Sequence, residues 1–102
     1  MDKRLSPIHP GEILFEDFIK PLGITQYRLA QDMGVSPIRI SQIIRGERSV
    51  TVDTAMRLAR YFGTSALVWL HLQVRYDLEC TEATLGPHIQ QEVKVLHQPV
   101  SS

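Results

Sequence analysis

The chain has 102 residues, 43% of them hydrophobic, which is one domain's worth of sequence with a modest core and no room for a separate catalytic domain. Eleven basic and eleven acidic side chains cancel, so the whole-chain charge points to no polyanionic partner. The distribution does: residues 20–60 carry a net +4, six of their seven cations being arginine, and the segments on either side carry −2 each. A segregated, arginine-rich block suits bidentate recognition of a polyanion.

In chain order, Pro10 and Gly11 close an irregular lead-in, and Glu12–Lys20 places Leu14, Phe15, Phe18 and Ile19 on one helical face. Pro21 and Gly23 are expected to end that helix. Thr25 caps a second helix through Met33, with Leu29, Ala30 and Met33 inward and Gly34 as its stop. Ser36 caps a third, with Pro37 in its first turn, Ile40, Ile43 and Ile44 inward, and Gly46 beyond Arg45. A fourth runs from its cap at Thr51 to Phe62, with Val52, Ala55, Leu58, Ala59 and Phe62 spaced at three and four, before Gly63. Ser65 opens a fifth, ending near Cys80. Thr81–Ser102 contains Gly86, Pro87 and Pro99 and at most a short helix over His88–Leu96, so a loosely held or disordered tail is expected there. Period-two alternation never lasts long enough for a strand. The expectation is an all-α, five-helix domain over residues 1–80 with an 81–102 tail.

The segment from Thr25 to Arg45 has the layout of a helix-turn-helix: two short helices, small Ala30 at their crossing, and an apolar Val35 in the turn. With the isoleucines packing the second helix down, Pro37, Ile38, Arg39, Ser41, Gln42 and Arg45 are expected to face outward. Arginine matches the guanine edge, glutamine the adenine edge, and serine or an aliphatic side chain a phosphate or a thymine methyl. Thr25, Gln26, Arg28 and Ser36, at helix starts, are expected to hold the phosphate backbone, with Arg48 adding a contact from the following loop. Arg57 and Arg60 stay outside this set, because Asp53, four residues before Arg57, makes an ordinary helix pair.

The run TQYRLAQDMGVSPIRISQIIRGERSVTVDTAMRLARYFGTS resembles the Xre, or phage-repressor, type of helix-turn-helix, and implies a lambda-repressor-like domain. The flanks HPGEILFEDFIKPLGIT and SALVWLHLQVRYDLE look like the HigA/VapI antitoxin branch of that family. The resemblance implies an antitoxin that neutralises a RelE/HigB-like, mRNA-cleaving toxin and, as a homodimer on double-stranded operator DNA, represses its own operon. Symmetric operators require two reading helices roughly 34 Å apart. The apolar surplus of the fifth helix, Leu67, Trp69, Leu70, Leu72 and Val74, is the expected two-fold contact. A solitary regulator without a toxin, or a protein-binding adaptor using the fold as scaffold, are the alternative readings.

His9, His71, His88, His97 and Cys80 stand at no metal-ligand spacing, so no metal is expected. No cofactor or catalytic residue is expected either: there is no glycine-rich phosphate loop, and Glu12, Glu16 and Asp17 read as helix-start acids. A single cysteine, no apolar leader and no membrane-length apolar run make a cytoplasmic location the expectation.

Overall fold

A computed structural model describes residues 6–97; the first five residues of the expected domain and the last five of the expected tail lie outside them. Five helical segments follow one another, with no strand among the described residues. The first, α1 (residues 10–22), is built of Pro10–Ile13, an i→i+5 wound stretch Leu14–Ile19, and Lys20–Leu22. It is followed by α2 (Gln26–Met33), α3 (Pro37–Ile44), α4 (Val52–Phe62) and α5 (Ala66–Glu92).

Helix α1 starts earlier than the periodicity suggests. His9 caps it, its Nδ1 accepting the Gly11 N–H at 2.9 Å, so Pro10 and Gly11 are the first helical turn and not a lead-in. Gly11 is required there by a close approach: a Cβ on it would stand 1.8 Å from the carbonyl oxygen of Ile43 on α3. The wide winding of Leu14–Ile19 carries the helix past Pro21, whose ring would clash with the carbonyl four residues back in a regular α-turn. Gly23, at φ +68°, then ends it.

The remaining starts follow the cap residues. Thr25, Ser36, Thr51 and Ser65 each accept, through the side-chain hydroxyl, the N–H three residues on. The core joins Leu14 and Ile19 of α1, Leu29, Ala30 and Met33 of α2, Ile40 and Ile43 of α3, Ala55 and Leu58 of α4, and Trp69 of α5, with Val50 from the loop before α4. Val52, expected inward, is exposed: it is the first residue of α4, on the turn before the packed face begins. One buried hydrogen bond ties the α3–α4 loop to α5, and a second, within α5, holds its acceptor in place. The Val50 N–H donates to Gln73 Oε1 at 2.8 Å, and Gln73 Nε2 donates to Asp77 at 3.0 Å.

The expected end of the fifth helix near Cys80 is corrected. Helix α5 runs 27 residues to Glu92, through Gly86 and Pro87, a length of about 40 Å that is the main part of the molecule's 56 Å long axis. The expected His88–Leu96 helix is the last turn of α5, which stops where Val93 becomes extended. Proline is accommodated because this end of α5 is exposed around it, so the carbonyl of Ala83, deprived of its N–H partner, is open to water.

Candidate nucleic-acid interface

Helices α2 and α3 meet through Gly34, at φ +73°, with Val35 N–H returning to the Ala30 carbonyl at 3.0 Å. Ile40 and Ile43 are fully buried and hold α3 by one face. Its opposite side presents Pro37, Ile38, Ser41, Gln42 and Arg45, with Ile38 65% exposed. At the helix starts, Thr25 and Ser36 are exposed while their hydroxyls accept the Arg28 and Arg39 N–H groups at 3.0 and 3.2 Å. Gln26 is half-buried at the start of α2.

The cations of this surface are paired locally. Arg45 donates to both oxygens of Glu47 at 3.1 Å and to Ser41, and Arg48 donates to the side-chain oxygen of Gln42 at 2.9 Å. Hydrogen bonds from Arg45 hold the Glu47 carboxyl below the usual range, and Glu47 in turn raises Arg45. Arg28 reaches Asp32 at 3.3 Å, where Tyr61 also donates at 2.7 Å; the tyrosine bond is the main reason the Asp32 carboxyl is held low. These pairs are exposed and worth little individually, so they can be exchanged for phosphate or base contacts at small cost.

Arg39 departs from its expected outward orientation. Its guanidinium turns back onto the first turn of α4 and donates to Asp53 at 2.6 Å and to Thr54, leaving a quarter of the side chain exposed. Packing on α3 alone leaves Arg39 free; the position of α4 beneath it decides otherwise. Asp53 also takes Arg57, as the helix spacing implied, and Arg57 reaches further to the Met33 carbonyl at 2.8 Å. Sequence reading missed Asp53 and Thr54 as neighbours of the reading helix. The only signal was an acid in the first turn of α4, which dipole and helix pairing already explained.

The expected two-fold contact also changes. Trp69 is removed from it: only 1% exposed, its ring packs 5.2 Å from Phe18 and its indole N–H donates to Thr64 at 2.8 Å. Leu70 and Leu72 are half-buried against the core. Leu67 and Val74 do remain outside, and Leu78, Leu85 and Ile89 extend them along one face of α5 at spacings of seven and four. Among the described residues no group of three metal-ligating side chains comes together, and no helix is long and apolar enough to cross a membrane.

Two short helices crossing at a glycine turn, the second held by one apolar face and displaying polar side chains on the other, define a helix-turn-helix protein. The sequence model of the helix-turn-helix family matches residues 16–69. Virulence-associated protein I of Dichelobacter nodosus is 52% identical over 75 residues, covering 74% of this chain and 69% of that protein. The solved structure of Pseudomonas aeruginosa antitoxin HigA with the higBA promoter superposes with a TM-score of 0.86 at 41% identity, over 89% of this chain and 99% of the other. The antitoxin GraA in complex with its operator does so at 0.86 and 36% identity, over 96% and 99%. The chain belongs to the Xre-type helix-turn-helix family, in its HigA/VapI antitoxin branch.

Proposed function

We propose that this protein is a sequence-specific DNA-binding antitoxin of a type II toxin–antitoxin pair, which represses its own operon and neutralises a RelE/HigB-like mRNA-cleaving toxin in the cytoplasm. The observation that carries the reading is the outward face of α3, Ile38, Ser41, Gln42 and Arg45, on a scaffold shared with an antitoxin solved with promoter DNA. Base discrimination comes from that face. Thr25, Gln26, Arg28, Ser36 and Arg48 hold the phosphate backbone, and the +4 block makes binding salt-dependent. The protein acts as a homodimer through the exposed stripe of α5 begun by Leu67 and Val74.

A mobility shift tests the DNA half. The promoter upstream of the protein's own coding sequence should bind about a thousandfold or more tighter than a scrambled duplex of equal length at physiological salt. Equal binding would refute sequence recognition and leave the fold as a protein-binding scaffold. Co-expression with the product of the adjacent reading frame tests the other half. Restored growth supports the antitoxin reading, and a neighbour without toxicity reduces the protein to a solitary regulator.

A further inference from the structure

We propose that Asp53 is a specificity-determining positioning residue: by holding the Arg39 guanidinium on the N-terminal turn of α4, it keeps this cation from taking a DNA phosphate and so favours discrimination over raw affinity. The proposal rests on the DNA-binding reading above.

Arg39 is the third residue of α3, next to the exposed Ile38 of the reading face. An unrestrained arginine there would reach any nearby phosphate, whatever the base sequence. Instead its Nη2 donates to both Asp53 and Thr54. Thr54 is 1% exposed and cannot follow a moving partner. Asp53 is itself fixed from the other side: both carboxylate oxygens accept the Arg57 Nε–H, at 3.2 and 3.1 Å, while Arg57 Nη1 is anchored on the last carbonyl of α2. One carboxylate therefore links the end of α2, the start of α4 and the reading helix. Hydrogen bonds from Arg39 first and Arg57 second hold its pKa low, so the clamp stays charged.

The clamp adds little to folding stability, yet unlike the exposed Arg28 and Arg45 pairs it holds a guanidinium only a quarter exposed against a buried second acceptor, Thr54, so exchanging it for a phosphate costs more. What it does control is where a long cation can go. Phosphate contacts supply sequence-independent affinity, and each steepens the dependence of log K on log salt by about 0.9. A clamped Arg39 forgoes that contact on operator and random DNA alike, and keeps its side chain from covering the neighbouring Ile38 and Gln42. Releasing it should help random DNA more than the operator, where optimal contacts already fix the helix.

The experiment measures binding of the full chain to its own promoter and to a scrambled duplex across a salt series. Asp53→Asn should bind the scrambled duplex about tenfold tighter at low salt, with a slope steeper by about one, and its promoter-to-scrambled ratio should fall. Adding Arg39→Ala to Asp53→Asn should abolish the gain. Thr54→Val, which removes the other acceptor without changing side-chain shape, should move the ratio the same way by a smaller factor and covers the case in which Asp53→Asn fails to fold. Unchanged scrambled-duplex affinity and slope would overturn the proposal. So would a gain that survives Arg39→Ala, since it would come from losing a negative charge near DNA. A wild-type protein without promoter preference would defeat the reading of the preceding section, while the scrambled-duplex slope still reports on Arg39.

Discussion

Gly11 and Ile43 are pressed together backbone to backbone: a methyl group on Gly11 would lie 1.8 Å from the Ile43 carbonyl oxygen and 2.9 Å from the Cα of Ile44. This is where α1 sits on α3, the helix proposed to enter the major groove. Neither backbone can yield as a flexible side chain would. Gly11→Ala should therefore separate α1 from α3 and cost about 3 kcal/mol or more of unfolding free energy, read from urea denaturation followed by circular dichroism. Unchanged stability would show that the two helices are less tightly apposed.

His9 makes stability depend on pH. Its Nδ1 accepts the Gly11 N–H, which requires the neutral form, and its ring packs edge-on against Tyr76 at 4.8 Å. Burial lowers its pKa from 6.5, Asp77 pulling less strongly the other way. With the folded pKa below the unfolded one, the unfolded chain binds more protons between the two values. The contribution is thus complete above pH 6.5 and declines as pH falls toward the folded pKa. His9→Asn keeps a helix cap that does not titrate in this range, so its urea midpoint should fall less than the wild type's between about pH 7.5 and 5.5. Parallel curves would remove His9 as the source.

Trp69 and Val74 lie on the same helix and should behave oppositely. Trp69→Ala empties a buried site against Phe18 and strands the Thr64 hydroxyl, costing about 3–5 kcal/mol, so loss of fold should precede any change in assembly. Val74 is 53% exposed, and Val74→Asp should leave helical content unchanged while shifting sedimentation toward the monomer. A Val74→Asp protein that sediments like the wild type would place the two-fold contact elsewhere.

Arg45→Ala tests the reading face directly. Arg45 is held by Glu47, which is exposed, and by Ser41, which is half-buried, and on the proposed reading it exchanges them for DNA. If it reads a guanine edge, the promoter should lose about 10- to 100-fold in affinity and the scrambled duplex much less. Equal losses on the two duplexes would make Arg45 a phosphate contact.

Local chemistry made most of the scaffold legible in advance. The caps Thr25, Ser36, Thr51 and Ser65 and the stops Gly23, Gly34 and Gly63 act within one helical turn, so their effect is written in adjacent residues. The inward sets of α2 and most of α3 followed from the 3.6-residue period for the same reason. Glycine at position 11 and proline at 87 misled because a local rule reads both as helix breakers. One is needed for a contact 32 positions away, and the other is tolerated on an exposed turn.

By itself, then, the sequence determined five helices, a glycine-hinged pair among them, and a positive block hidden within a neutral chain. Tertiary structure decided which side chains that pair has free to use. Arg39 and Asp53 are fourteen residues apart on different helices, and only the packing of α3 and α4 against α2 brings their charges within 2.6 Å. Packing of α5 on α4 and α1 buries Trp69 and leaves Val74 outside, because which apolar side chains of α5 meet the core depends on what the other helices cover. Periodicity records what one helix needs. Which of its polar groups remain unpartnered depends on the arrangement of them all.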